Sequence, residues 1–430
     1  MPNVNRHVWV GQNTPLTCVF MTGYEFGDTA RDKIQSVNGT VTYQTSTPSP
    51  HQNSGYGGAQ YRRFATAGAY DLYLGVPTLR EFVICKAEYL TTNSVATTDM
   101  MDSSSASLQF RCQSTQSTGV LALIRNTTTL VSSSAGVIPG NQWNWLHCWV
   151  FVDNTTGFAH ARIGSWGNLV ATVTGADTQQ HATNNFADQA RIGALTTSPL
   201  VTYSDDLMIF ARSIYFSGGS GTLPSSGATL TGSTSGATCL IQQIYSDGSG
   251  KGCYFIHTVT GTFQAGETIT SGGWSGTSGN ALGNDQASLW VPEQYIFLGT
   301  LTSDIAAGFT SSTGASHYTE VDDAATITDY VSTNTNGQVD EYDVNVVLPP
   351  GADISAVDIS AYARLNGVSA VSAIRCGFND GSTPVDNSAN SPLSGAWESH
   401  ECIASYNPNT GAKFTTTEIG NLTARITSKT

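Results

Sequence analysis

The stretch NQWNWLHCWVFVDNTTGFAHARIGS, residues 141–165, limits what the chain can become more than any other. Side chains two apart share a face of a strand. Trp143, Trp145, His147, Trp149 and Phe151 therefore lie on one face, and Leu146, Cys148, Val150 and Val152 on the other. Both faces are mostly apolar. The segment predicts a strand buried on two sides, or one whose aromatics meet a second sheet. Its β-branched and aromatic content and its shortness argue against a helix. Asp153-Asn154-Thr155-Thr156-Gly157 predicts a hairpin turn, with 158–163 as the returning strand. Each large side chain buried contributes roughly 1.5–3 kcal/mol, so core packing is the leading reading of the tryptophans. An aromatic platform for a sugar is the other.

Composition supports a chain made of such strands. Of the 430 residues, 39% are hydrophobic, enough for real cores, but only 12% are charged, well below the usual quarter or so. Gly, Ser, Thr and Asn fill the gap, which suits turn-rich sandwiches with hydroxyl and amide surfaces. A net charge of −14 repels a phosphate backbone and argues against nucleic-acid binding. No basic patch serves an anionic membrane, and no apolar run reaches the ~18 residues of a membrane span. The start, MPNVNRHVWVGQ, has no apolar signal core, so synthesis in the cytoplasm without a signal peptide is expected. The eight cysteines show no CxxC and no Cys/His ligand spacing, which argues against zinc. Buried free thiols are the default, with Cys239–Cys253 and Cys376–Cys402 as the two candidate disulfides.

Texture divides the chain into three blocks. Residues 1–214 carry strand patterns at sandwich-like spacing, among them 40–43, 60–64, 81–90, 107–112, 121–125, 143–152 and 206–210, behind an N-terminal arm. Residues 215–285 open on SGGSGTLPSSG and close on SGGWSGTSGNALG, Gly/Ser hinges around a small β-module. Residues 286–430 return to strands at 342–348, 359–364, 370–376 and 400–404, with one short helical turn near 416–421. The fold class expected is all-β throughout.

Catalytic motifs are missing. Asp247-Gly248-Ser249-Gly250-Lys251-Gly252 lacks the Ser or Thr after lysine that a phosphate loop needs. No G-x-S-x-G elbow and no H-E-x-x-H occurs. Glu341 and Asp343 match the first two places of the E-x-D-x-x-E strand of retaining glycosidases, but Val346 stands where the proton donor belongs. A solvated strand face is expected there. Two acidic clusters, Ser204-Asp205-Asp206 and Glu320 with Asp322 and Asp323, fit no calcium loop and read as solvated turns. No catalytic, cofactor or metal site is expected. Trp166 and Trp274, beside polar residues, are the candidate glycan contacts.

Residues 21–28, MTGYEFGD, resemble the opening of concanavalin-like, laminin-G-type jelly rolls found in tailed-bacteriophage virion proteins. Residues 51–63 are a looser match to the strand that follows there. The Trp145–His147 run with its hairpin, and Tyr203-Ser204-Asp205-Asp206-Leu207-Met208-Ile209, resemble later strands of that domain. In the third block, HYTEVDD at 317–323, DYV at 329–331 and NPNTGAKFT at 407–415 resemble the sandwich that often follows, with Asp323 in place of Glu and Phe414 in place of Trp. GATLTGSTSGAT and GTFQAGETI look like a small β-module of phage structural genes. The resemblance implies an N-terminal concanavalin-like jelly roll, a small inserted β-module and a C-terminal β-sandwich. It implies a non-enzymatic structural protein of the virion surface, as capsid decoration or tail or fibre component. Its partners would be other virion proteins and copies of itself. The alternative is a glycan-binding receptor-recognition protein that meets host surface glycans through the jelly roll.

Overall fold

A computed structural model describes residues 3–10, 16–22, 34–44, 61–73, 76–91, 94–102, 107–164, 168–180, 184–194, 201–246, 250, 252–283, 295–321, 329–346, 348, 352, 354–367, 369–386, 390–404, 407, 409–410 and 412–430. The chain is all-β, with an N-terminal jelly-roll sandwich, a small β-module and a C-terminal sandwich. Among the described residues the only helices are His317–Val321 and Thr416–Gly420. The second was expected; the first was not, because HYTEV reads equally as the end of a strand.

The tryptophan strand, Trp143–Phe151, lies between Gly157–Ile163 and Glu81–Leu90, and Glu81–Leu90 in turn pairs with Thr202–Ser220. Its even-numbered face, Leu146, Cys148 and Val150, joins Phe82, Ile84, Phe110, Leu121 and Ile192 in the core shared with a seven-stranded antiparallel sheet. Its tryptophan face lies on the far side. There Trp145 and Trp149 pack with Val83, Met208 and Phe210, and with Ala356 of the strand Ile354–Ala363. That strand belongs to a four-stranded sheet, in the order Tyr295–Leu298, Asn3–Val10, Ile354–Ala363, Glu398–Ala404. The chain's first strand is thus paired within the sheet of the third block.

Alternation explains how one strand serves two cores. Ala356 faces the tryptophans, while Val357, Ile359 and Ala361 face a second core with Tyr342, Cys376, Phe378 and Ile426 of a six-stranded sheet. Four sheets are stacked, and apolar side chains fill each gap.

The small module shares a strand with the jelly roll. Gly252–Thr260 and Trp274–Ser278 both pair with Thr202–Ser220, which runs for 19 residues. The eight cysteines are buried and free. Cys253 lies opposite Tyr245 and not opposite Cys239, so the register itself separates the first candidate disulfide pair.

The Thr416–Gly420 helix is held by a capping box. The Glu418 N–H donates to Thr415 Oγ1 at 3.2 Å, and the Thr415 N–H donates to Glu418 Oε2 at 2.6 Å. Glu418 also accepts from Asn407 at 2.8 Å, which ties the helix to the NPNTG turn. Thr415→Ala is expected to cost about 1 kcal/mol. Hydrogen exchange should show faster opening of this helix, with the Trp143–Phe151 strand unchanged.

Candidate functional site: a hydroxyl-lined cleft

Trp145 and Trp149 are 2% and 1% exposed, so the tryptophan face is interior packing. The Trp149 Nε1–H donates to Glu81 at 3.1 Å, and the Arg212 guanidinium lies over the Trp149 ring at 5.0 Å. Trp143 is half-buried, edge-on to Tyr61 and Tyr89. Trp274 is also unavailable to a sugar: it is 2% exposed and edge-on to Phe216 and Tyr254 at 5.0 and 5.1 Å. Its glycine neighbours suggest an open loop, but they make room for the ring instead. A Cβ on Gly276 would come within 2.7 Å of it. Trp166 lies outside the described residues.

The acidic segments serve structure too. Asp340 is buried and accepts from the Phe309 N–H at 2.7 Å and the Tyr342 hydroxyl at 2.9 Å; its other contact is His317 Nδ1 at 2.8 Å. Glu341 accepts from Thr423 at 2.6 Å and from Arg425 at 3.1 Å. The expected solvated face therefore fails for Glu341, while Asp343 on the same face is half-buried and accepts from the Thr302 hydroxyl at 2.9 Å. Asp205 and Asp206 are buried on a strand irregularity, with Asp206 at φ 45°, and are not a solvated turn. Glu320 is buried as well. Although burial pulls the other way, hydrogen bonds from Ser311, Ser312 and Thr313 hold its carboxyl below the usual range. Asp322 and Asp323 lie outside the described residues. Among the described residues, no three His, Cys, Asp or Glu side chains come together as a metal site.

What the fold does assemble is a cleft of about 580 Å³ in the C-terminal sandwich, within the range of small-ligand sites. Its floor is apolar, from Phe309, Val331, Val371 and Ile374. Its walls carry Ser332, Thr333, Asn334, Gln338, Asn366 and Ser369. The 333–338 turn is pinned in place. The Thr333 hydroxyl bonds Gln338, the Thr335 N–H donates to Thr333 Oγ1 at 3.0 Å, and the buried Ser428 hydroxyl donates to the Thr335 carbonyl at 2.7 Å. Among the described lining residues Arg364 is the sole charge, and no carboxylate, imidazole or thiol is present. The lining can donate and accept hydrogen bonds but offers no acid–base pair.

Arg364 continues the line of the Ile354–Ala363 strand into the cleft. Its guanidinium lies over the ring of Trp397 at 4.9 Å, and Trp397 stacks on Tyr362 with centroids 5.4 Å apart at 16°.

No protein-family model and no curated protein matches the sequence. Solved structures with a similar fold include a conserved carbohydrate esterase of a Shiga toxin-encoding bacteriophage. Its TM-score is 0.32 at 11% identity, over 45% of this chain and 98% of that one. The acidic lectin of winged bean, complexed with methyl-α-D-galactose, gives 0.28 at 7%, over 45% and 98%. Lectin I of Ulex europaeus, with the methyl glycoside of α-L-fucose, gives 0.28 at 9%, over 46% and 98%. Scores this low carry no inference about ligand or activity.

The residues of the cleft escaped the sequence reading. Arg364 and Trp397 are 33 positions apart, and Trp397 sits in SGAWES, which reads as an ordinary polar loop. The only local signal was a large aromatic with no apolar alternation around it.

Proposed function

We propose that the chain is a non-enzymatic structural protein on the surface of a tailed-phage particle, and that it recognises a saccharide in the third-block cleft. The three blocks are 1–214, 215–285 and 286–430. The observation that carries the binding part is the cleft lining. Hydroxyls and amides both donate and accept, as a sugar's hydroxyls require, and among the described lining residues no acid is placed to protonate a leaving group. The particle assignment rests on the order of the sequence motifs and on the charge-poor Ser/Thr/Asn exterior. The protein would be present in several copies, since positions on a particle repeat by symmetry.

Two measurements test this. Imaging of intact particles with a labelled chain should place it on the exterior; a location inside, or absence from purified particles, would sink the structural role. A saccharide array probed with the full chain should give binding that falls about tenfold or more with Asn334→Ala or Asn366→Ala. Binding untouched by either change would move recognition to the jelly roll.

A further inference from the structure

We infer that the cleft takes an acidic saccharide, with the sugar's carboxylate seated on the guanidinium of Arg364. This rests on the saccharide reading above and names the class of sugar. Many of the described arginines pair with carboxylates. Arg62 pairs with Asp71, Arg80 with Asp153, Arg111 and Arg191 with Asp99, Arg212 with Glu81, and Arg425 with Glu341 and Asp386. Arg364 has no carboxylate partner among the described residues. Its Nε is buried without a hydrogen-bond partner among them, and its one recorded contact is the Trp397 ring.

A buried donor left unmet costs free energy, so its retention in a ligand-sized cleft has to be offset by something. In a chain of net charge −14 a neighbouring carboxylate would have been easy to supply, yet none lines the cleft among the described residues. The Trp397 ring, itself stacked on Tyr362, lies 4.9 Å from the Arg364 guanidinium carbon and takes none of its hydrogen bonds. The planar guanidinium fork matches a planar carboxylate through two parallel N–H···O bonds. The amides of Asn334 and Asn366 line the rest of the cleft, and a bare inorganic anion would leave them unused.

The test is calorimetric titration of the full chain with uronic- and sialic-acid oligosaccharides, with their methyl esters, and with neutral oligosaccharides of the same length. Inorganic phosphate is titrated as a competitor. The acid forms should bind, esterification should weaken binding tenfold to a hundredfold, and phosphate should compete only weakly. Arg364→Lys keeps the charge but loses the fork, and should weaken the acid forms about tenfold while leaving the circular dichroism spectrum unchanged. The ester comparison needs no variant, so a misfolded Arg364→Lys would not shelter the idea. Equal affinity for acid, ester and neutral forms would overturn the carboxylate assignment and leave saccharide binding standing. Binding of phosphate as tight as that of the acidic sugar would overturn it in favour of a simple anion site. No saccharide binding at all would remove both readings.

Discussion

Arg212→Met is expected to destabilise the protein by about 3–5 kcal/mol at pH 7–8, whereas the double variant Glu81→Gln/Arg212→Met should lie within about 2 kcal/mol of the parent. The two side chains are 2% and 1% exposed and meet at 3.0 Å. Glu81 also accepts from Trp149, and the module's Gln242 bonds the Glu81 backbone on both sides, its Oε1 accepting from the N–H at 3.1 Å and its Nε2 donating to the carbonyl at 3.1 Å. The pair therefore sits where the tryptophan strand, the jelly roll's central strand and the small module converge. Removing only the cation strands a carboxylate in a site that water does not reach. Removing both charges while keeping an acceptor for Trp149 takes away the desolvation cost as well. The guanidinium is not well satisfied as it stands, since its geometry to the carboxylate is that of an ion pair without an aligned hydrogen bond. Burial pushes the Glu81 carboxyl upward even with Arg212 beside it. An acid with a raised folded pKa is most compatible with the fold when protonated. The deficit of Arg212→Met should thus shrink as pH falls and the stranded carboxyl takes up a proton. Urea unfolding followed by tryptophan fluorescence at two pH values gives all of these numbers. A double variant as unstable as the sum of its singles would show that the ion pair is not what couples the two positions.

Strands with apolar residues on both faces were legible in the sequence, and those whose buried faces are polar were not. Glu81–Leu90 and Trp143–Phe151 announce themselves by apolar alternation. Val95–Asp102 and Gln189–Ala194 do not, because Asp99 is buried between Arg111 and Arg191 and these charges meet only in three dimensions. The same blindness hid the cleft. Arg364 is informative because of the partner it lacks, which only the assembled fold reveals. Trp274 misled in the opposite direction. SGGWSGTSGNALG reads as a hinge, yet Gly276 lies in a strand and makes room for the Trp274 ring.

Acid should loosen the protein well before the hydrogen-bonded carboxylates Asp153, Glu320 and Asp380 titrate, and the small module should release first. His147 and His257 are buried. Burial, then the nearby charge of Arg162 and then His160, lowers His147 to about 3. Burial, followed by Arg80 and Arg212 and partly countered by Asp153, lowers His257 to about 4. Both nitrogens of His147 lack a hydrogen-bond partner among the described residues, so nothing there welcomes a proton. An unfolded histidine titrates near ~6.5. Between that value and the folded one, the unfolded chain binds a proton that the native state refuses. Stability therefore rises with pH across this window and is lost as pH falls through it. Each histidine contributes roughly 1.4 kcal/mol per pH unit at most, so the pair would remove about 5–7 kcal/mol between pH 6.5 and pH 4. Asp153, Glu320 and Asp380 act later. Partial burial opposes it, but hydrogen bonds from hydroxyl, amide and backbone groups hold each below the ordinary carboxylate range. Their contribution is lost only as pH falls from the unfolded carboxylate value toward these lower ones. His257 stacks on Phe151 at 5.7 Å, across the contact between module and jelly roll. Limited proteolysis at pH 4.5–5 should accordingly cut around 215–285 while Glu81–Leu90 remains protected. His147→Leu/His257→Leu should flatten the pH dependence above pH 4. A parent protein equally stable at pH 7 and pH 4.5, or a double variant with an unchanged slope, would mean that these rings are not what acid acts on.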